Sequence, residues 1–594
     1  MRLSRRKLLQ GAAVLSVMPV LPAGAAPFRR VRPGEAAWPM AQQWDALNSQ
    51  VGGNLVKPAH LFGACKINDG GTDCAAATGQ LANPYFIGDQ AGGTQVSGWL
   101  GAWSPTPSVY AVAARNAQDV VAAVNFARDH KLRLVVKGGG HSYQGTSNAP
   151  DSLLVWTRPM HAITLHDQFV PQGSGAAAAP AVTIEAGAMW VDAYDAVTTK
   201  AHRYVQGGGC MTVGVAGLIQ SGGFGSFSKR YGSAAANLLE AEIVTADGKR
   251  RTVNAAQDAD LFWGLKGGGG GSLGAVTKVA LRTHDLPEYF GYVACQIRAN
   301  SPEDFRKLLA NFVDFYAGNL FNPHWGEGIT ISSENILDIS MASQGLNTEE
   351  ARATWKPFLD WVAAQGTSFS ATPRIGSDTA FSYWDVQAMR KAGSHAIQLD
   401  NRPGANPAHG WWAGDEGQVG AFLYGYDSLW LPKSLLEPAA RPKLAEALFA
   451  ASRDMIIRLH FNKGLAGAPS EAIARARDTA TNPKVLDAFC LAIIATGGAP
   501  RYPGLKPPDD SAKAASDAKD VDRATEILRA IAPDAGSYVS ESNFFNANWR
   551  QEFWGGNYRK LAAVKAKYDP GGLFTVHHGV GSEAWSDDGF TRRA

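Results

Sequence analysis

Net charge is what this sequence has least of. Its 594 residues carry 56 Lys and Arg against 53 Asp and Glu, a formal balance of +3 with the signs dispersed. No basic stripe is available to meet a phosphate backbone, which excludes nucleic acid as a partner. Long apolar runs are missing beyond the first few dozen residues, so no later segment of the chain is expected to span a bilayer. Cysteine is scarce: Cys65, Cys74, Cys210, Cys295 and Cys490 are all there are, and an odd number cannot pair completely. No internal repeat is visible. What is present, 45% hydrophobic and 18% charged residues, is ordinary globular composition, and the length suits two or three domains.

At the N-terminus, Ser4-Arg5-Arg6-Lys7-Leu8-Leu9-Gln10 precedes an apolar run from Gly11 to Leu21 and the small residues Ala23-Gly24-Ala25. That order is typical of a removable leader. The paired arginines resemble the twin-arginine export signal, a route for folded proteins. Residues 1–26 are therefore expected to be a signal peptide and the mature protein to be periplasmic or extracellular. In an oxidising compartment Cys65 and Cys74, in a loop rich in Gly, Asn and Asp, are candidate disulfide partners. Cys295 and Cys490 sit in apolar surroundings and are expected to be buried small hydrophobes. Cys210, flanked by glycine, stands apart.

Much of the glycine, 65 residues in all, is gathered in four clusters. In the first, the apolar strand Leu132–Val136 runs into Gly138-Gly139-Gly140-His141-Ser142-Tyr143-Gln144-Gly145. Consecutive glycines let backbone N–H groups approach an anion closely, which suits a diphosphate. No helix follows, because Ser147-Asn148-Ala149-Pro150 intervenes, so this is not a Rossmann fingerprint. The second cluster is Gly207-Gly208-Gly209-Cys210-Met211-Thr212-Val213-Gly214 with Gly217, and the third is Ser221-Gly222-Gly223-Phe224-Gly225. The fourth, Gly267 to Gly271, contains a formal GxGxxG at Gly269, Gly271 and Gly274. Helix-like Asp260–Leu265 before it and strand-like Ala275–Leu281 after it reverse the order a dinucleotide fingerprint requires.

Between the clusters the pattern reads as strand at Tyr110–Ala113, Ser152–Trp156, Ala181–Glu185 and after Asn237. Helices are read from Asn116 with Val120, Val121, Val124 and Ala127 inward, and from Trp190 to about Ala201. Residues 286 to about 530 read as a second region, with a strand at Phe290–Ile297 and helices at Pro302–Tyr316 and Thr348–Ala364. A helix–loop–helix is expected from Pro438 through Leu486, and an exposed loop at Lys506–Asp520. Trp411, Trp412, Tyr424, Tyr426 and Trp430 crowd one part of it; a stacking platform for a sugar or aromatic ring and ordinary core packing are both open. His324-Trp325-Gly326-Glu327 and His460-Phe461-Asn462-Lys463-Gly464 are polar stretches that can reach a pocket. The chain then closes on a helix over Asn557–Tyr568, ending at Asp569-Pro570-Gly571-Gly572.

Four glycine clusters threading a small α+β lobe resemble the FAD-binding domain of the vanillyl-alcohol oxidase superfamily, and within it the berberine-bridge-enzyme and oligosaccharide-oxidase group. The likeness rests on Gly138 to Gly145, Cys210-x-Thr212-Val213-Gly214, Ser221 to Gly225, Asp260-Leu261-Phe262-Trp263 and Asn557-Tyr558 through Lys567-Tyr568-Asp569-Pro570. It implies an α+β fold: a two-lobed FAD-binding domain and a separate substrate domain built from an antiparallel sheet with covering helices. The expected division is a leader at 1–26, an N-terminal extension at 27–100, the FAD-binding domain at 101–285, the substrate domain at 286–534, and a segment at 535–594 that returns to the FAD domain.

The resemblance further implies a bicovalent FAD, with His141 on the 8α-methyl carbon and Cys210 on carbon 6 of the ring, and no metal. A thiolate suits attack on an electron-poor ring, and a cysteine among glycine N–H groups is expected to ionise readily. The cofactor contacts expected from the motifs are Gly138, Gly139, Gly140, His141, Ser142, Gly145, Cys210, Thr212, Val213, Gly214, Gly217, Ser221, Gly222, Gly223, Gly225, Asn557 and Tyr558. Leu218 stands where the family often has a histidine. Val213 stands at the family's oxygen gate, where valine accompanies oxidases. The family's catalytic tyrosine is replaced: Tyr538-Val539-Ser540-Glu541 puts Glu541 in its place. A desolvated carboxylate there can take a hydroxyl proton while hydride passes to the flavin; a surface or salt-bridged glutamate is the bland alternative. Tyr143 either orients a substrate or is structural. The implied activity is oxidation of an alcohol or hemiacetal in a small molecule, with oxygen as acceptor. A dehydrogenase using a quinone or cytochrome, and a flavin- or carbohydrate-binding protein without turnover, are the rivals.

Overall fold

A computed structural model gives the fold and describes residues 28–593. The expected leader at 1–26 lies outside the described residues. The molecule is α+β, with three principal sheets. In the first, strands β1 (Leu55–Val56), β2 (Tyr110–Ala113), β3 (Arg133–Lys137) and β4 (Ser152–Trp156) lie in the order β1-β2-β4-β3. Both β2 and β3 run parallel to β4. Parallel neighbours need a crossover. Helix Ala117–Asp129 provides it between β2 and β3; its N-cap Asn116 accepts from the N–H groups of Gln118 and Asp119, and its inner face buries Val120, Ala123, Val124 and Ala127. Between β3 and β4 no helix intervenes, and the crossover is the first glycine loop itself. The N-terminal extension does more than pack over this lobe, since β1 pairs with β2 and Trp44 stacks on Tyr110 at 4.1 Å.

The second sheet is antiparallel and built from β5 (Ile163–Phe169), β6 (Ala179–Glu185), β7 (Arg203–Val205), β8 (Leu238–Val244), β9 (Arg250–Asn254) and β10 (Ala275–Asp285). Its order is β5-β6-β10-β8-β9, with β7 paired to the far end of β10. The second and third glycine clusters fill the connection from β7 to β8, and the fourth leads into β10. Helix Trp190–Tyr194 continues as a π-helical turn over Asp195–Lys200.

The third sheet has eight antiparallel strands: β11 (Tyr289–Ala299), β12 (Trp325–Ile331), β13 (Ile336–Gln344), β14 (Phe369–Ala371), β15 (Arg374–Thr379) and, beyond a hairpin of β16 (Ile397–Leu399) and β17 (Gly410–Trp412), β18 (Phe422–Pro432), β19 (Ile457–His460) and β20 (Ala488–Gly498). Helices Pro302–Phe315, Thr348–Ala364, Arg441–Asp454 and Ser511–Arg529 contribute Phe312, Trp355, Phe358, Leu448 and Leu528 to the core that also holds Ile297, Ile331 and Leu431 of the strands. Two expectations fail here. The stretch read as helix–loop–helix contains β19, whose Ile457-Arg458-Leu459-His460 alternation is too short to stand out from its helical flanks. The stretch read as an exposed loop contains the whole first half of helix Ser511–Arg529, whose buried face starts with small Ala514, so that charge dominates the local composition.

Cys65 and Cys74 are joined by a disulfide, while Cys295 and Cys490 are free and buried. The C-terminal segment returns to the first lobe, where Phe574 bridges Leu134 of β3. Buried Arg30 fastens that return, donating to the carbonyl of Gly589 at 2.7 Å and to Thr575 Oγ1 at 3.2 Å. Among the described residues no helix is long and apolar enough to cross a membrane.

Candidate active site

Between the glycine loops and the third sheet lies a cavity of about 1430 Å³, larger than the roughly 300–1,000 Å³ of an ordinary small-molecule pocket. Gly138 to Tyr143 form one wall, Cys210, Val213, Gly214, Gly217 and Ser221 a second, and Glu541 enters from the C-terminal segment. Leu218 also lines it. The first two walls meet backbone to backbone. A Cβ on Gly139 would lie 3.0 Å from the Gly214 nitrogen, and one on Gly214 the same 3.0 Å from the Gly139 nitrogen, so neither position tolerates a side chain without moving main chain. Behind them Thr212, outside the cavity wall, places its hydroxyl 3.1 Å from His141 Nε2.

Several residues expected to touch a cofactor stand outside the cavity lining and make close packing contacts. Gly145 has a φ of 68°, and a Cβ there would meet the Trp103 ring at 2.5 Å. A Cβ on Gly223 would press on Leu218 at 2.8 Å, one on Gly225 would meet the Gly207 carbonyl oxygen at 2.1 Å, and Gly222 has a φ of 109° beside Thr481. Asn557 donates to the Thr481 carbonyl at 2.9 Å and Tyr558 to Glu583 at 2.6 Å, which directs both side chains into bracing contacts and away from the cavity. Of the crowded aromatics, Trp412 and Tyr426 line the cavity. Trp411 and Trp430 are buried core residues, and Tyr424 is hydrogen-bonded to Asp510.

Burial sets the charge states. The His141 imidazole is pushed down to about 4 by desolvation, so it is neutral near pH 7 and one ring nitrogen carries a lone pair. The Cys210 thiol is pushed well up, first by desolvation and then by neighbouring Asp415. This overturns the expectation that glycine N–H groups make it ionise readily. Asp415, in the 3-10 segment Ala413–Gln418 after β17, lines the cavity with that thiol and is itself raised to about 6, chiefly by desolvation. Glu541 is not a solitary carboxylate: Lys463 Nζ lies 2.6 Å from each of its oxygens. It is salt-bridged, as the bland alternative had it, yet inside the cavity. Tyr143 donates to Gln418 Oε1 at 3.1 Å, and its ring centre lies 5.2 Å from that of Tyr426.

One further carboxylate was within reach of the sequence and another was not. Strict alternation along β12 would send residue 327 to the helix-packed face with Trp325, Ile329 and Ile331. Glu327 has a φ of 57°, between Gly326 and Gly328, and its carboxylate lies in the cavity beside Gly209. Burial raises its carboxyl, a hydrogen bond from Ser226 partly offsets this, and no lysine or arginine among the described residues forms an ion pair with it. Its Gly-Glu-Gly context marked a polar stretch able to reach a pocket. Asp415 had no signal, since Gly414-Asp415-Glu416-Gly417 reads as any surface turn.

The lining suits an FAD. The glycine cradles offer backbone N–H groups without side chains in the way, and at Gly217 and Gly270 an added Cβ would meet nothing within 4 Å. The buried side-chain oxygens of Gln144, Gln220 and Asn462, all on the lining, have no partner among the described residues and can accept from a polar ligand. A neutral imidazole and a thiol face the same space.

Comparison with known proteins agrees. Residues 108–254 match an FAD binding domain, and residues 537–581 match the family described as berberine and berberine like. The VAO-type flavoprotein oxidase VAO615 of Thermothelomyces thermophilus is 28% identical over 593 residues, covering 95% of this chain and 94% of that protein. The FAD-linked oxidoreductase ZEB1 of Gibberella zeae is 27% identical, covering 93% of each. Among solved structures, the VAO-type flavoprotein MtVAO615 from Myceliophthora thermophila C1 superposes with a TM-score of 0.77 at 25% identity, over 95% of this chain and all of that one. A glucooligosaccharide oxidase from Acremonium strictum, described as carrying a 6-S-cysteinyl, 8α-N1-histidyl FAD, shares the fold with a TM-score of 0.63 at 19% identity, over 87% of this chain and 99% of that one.

Proposed function

We propose, for a chain that belongs to the VAO-type FAD-linked oxidoreductases, that it is an exported oxidase of alcohol or hemiacetal groups with a doubly attached flavin and oxygen as acceptor. FAD bound in the cavity supplies a two-electron acceptor. His141 and Cys210 are the attachment residues. Thr212 engages His141 Nε2 at 3.1 Å, which leaves Nδ1 for attachment, and burial keeps the ring neutral. Glu541 takes the proton from the substrate hydroxyl. Lys463 holds both of its oxygens at 2.6 Å, which fixes its aim in the cavity. Val213, on the cavity wall, leaves room for oxygen to approach, and the third sheet supplies the substrate wall through Tyr292, Thr330 and Arg458. The class of substrate, a sugar, a phenolic alcohol or a secondary metabolite, rests on the carbohydrate oxidases among the fold's neighbours and on the polar lining. The twin-arginine pattern at Arg5-Arg6 supports export.

The observation that carries this reading is the meeting of His141, Cys210 and the Lys463–Glu541 pair in one cavity. The test is a panel of sugars and alcohols, scored both for peroxide and for anaerobic bleaching of the flavin. With a substrate in hand, Glu541→Gln is expected to slow bleaching by roughly 10²-fold, the usual loss when a general base is removed. Bleaching at the wild-type rate would remove Glu541 from the reaction. Bleaching without peroxide on admission of air would point to a quinone or cytochrome acceptor instead.

A further inference from the structure

A run of polar contacts crosses the cavity mouth from the first glycine loop to the second. Tyr143 donates to Gln418 Oε1 at 3.1 Å, Gln418 Nε2 donates to Asp415 Oδ1 at 3.4 Å, and Asp415 lines the same cavity as Cys210 and is the carboxylate that most raises its thiol. The segment that carries both Asp415 and Gln418 is pinned to the cysteine loop by Trp412, whose Nε1 donates to the Gly209 carbonyl at 3.1 Å. Gly414, Glu416, Gly417 and Gln418 are exposed while Asp415 is half-buried on the cavity lining, so the segment is a surface strap that brings one carboxylate to the cavity the half-buried Cys210 also faces.

We propose that Asp415 is the base that takes the Cys210 thiol proton when sulfur bonds to the flavin ring, so that the chain carries its own catalyst for that attachment. The inference rests on the doubly attached flavin proposed above. In the overall step the S–H bond of Cys210 and the C–H bond at ring carbon 6 break and a C–S bond forms. The two electrons and two protons released pass to dioxygen, which leaves as hydrogen peroxide. The need for a base follows from burial, which disfavours the thiolate. Asp415 is suited to the role because desolvation, with a smaller contribution from Glu327, holds its proton affinity up against the opposing pull of Lys463, leaving the carboxyl near 6. The ionisable groups facing this pair from the surrounding elements are Glu327 of β12, Lys463 after β19, Glu541 of the C-terminal segment, Tyr143 of the first loop, Tyr194 of helix Trp190–Tyr194 and Tyr426 of β18.

The test uses full-length protein expressed with its flavin, sampled over time in aerated buffer. It is digested after acid precipitation, and the Cys210 peptide is scored by mass for attached flavin. Sampling begins early enough to catch the linkage forming, and wild type is expected to reach full linkage within the series. Asp415→Asn is expected to keep flavin through His141, which certifies a folded, loaded protein, yet to form the sulfur bond roughly 10²-fold more slowly. Asp415→Glu, which keeps the carboxylate, is expected to recover most of the rate. In Asp415→Asn the pH dependence through about 6 should vanish, and in Glu327→Gln it should move to lower pH. Sulfur attachment in Asp415→Asn as complete and as fast as in wild type would overturn the proposal. Wild-type protein with flavin on His141 but none on Cys210 would overturn the double attachment itself, and the proposal with it.

Discussion

Glu327 concentrates the cost of the site in one residue. A non-glycine residue in the left-handed region is strained by about 1–3 kcal/mol, and its carboxylate is desolvated without a cationic partner among the described residues. Fold stability would be better served by glycine. Glu327→Gly is therefore expected to raise the melting temperature while impairing turnover, and a thermal melt beside a bleaching assay checks both; a lower melting temperature would show that Glu327 serves packing. Lys229 is a second buried charge, donating to the Ala466 and Phe489 carbonyls at 2.8 and 3.3 Å and pushed down to about 7 by burial. In the unfolded chain a lysine holds its proton to about 10.4. Between those values the unfolded state binds more protons, so the lysine's contribution to stability rises with pH from about 7 to 10 and is least favourable below 7. The gap in melting temperature between Lys229→Met and wild type should shift in favour of wild type between pH 7 and 9.5. A gap that does not change with pH would place the lysine's ionisation outside the folding equilibrium.

At the scale of elements, the glycine loops matter through how closely they pass. Gly139→Ala puts a methyl group 3.0 Å from the Gly214 nitrogen, so the loops carrying His141 and Cys210 must separate. The expected result is a lower flavin-to-protein ratio in purified protein, read from its visible absorbance; full flavin content would show that the loops have slack. These loops were legible because clustered glycine and a nearby His or Cys make a local pattern, as were β2, β4 and helix Thr348–Ala364, whose periodicity and caps are written in adjacent residues. Helix Ser511–Arg529 was not, because its helical character comes from what Ala514, Val521 and Leu528 meet in the third sheet. The Lys463–Glu541 pair joins residues 78 positions apart, and Asp415 and Cys210 meet on the cavity lining from positions much further apart still. Such pairings depend on tertiary approach, which no short pattern encodes. The departure at Glu541 was visible, but its lysine partner was not.

At the scale of the molecule, two bodies with different duties face one cavity. The glycine-lined lobes present backbone, His141 and Cys210 to it, and the third sheet presents Glu327 and Arg458 from strands braced by helices. Buried Arg30 and the return of Phe574 to β3 close the chain's two ends on the same lobe, so the cofactor wall is stiffened by segments more than 500 positions apart in sequence. Everything else depends on whether both anchors engage one flavin. The most direct measurement is the mass of the flavin-bearing peptide after acid precipitation and digestion of wild type, beside His141→Ala and Cys210→Ala. The account predicts a yellow precipitate and a single species in which the His141 and Cys210 peptides are joined through one flavin, with each variant keeping the other bond. A colourless precipitate with all the flavin in the supernatant would contradict it.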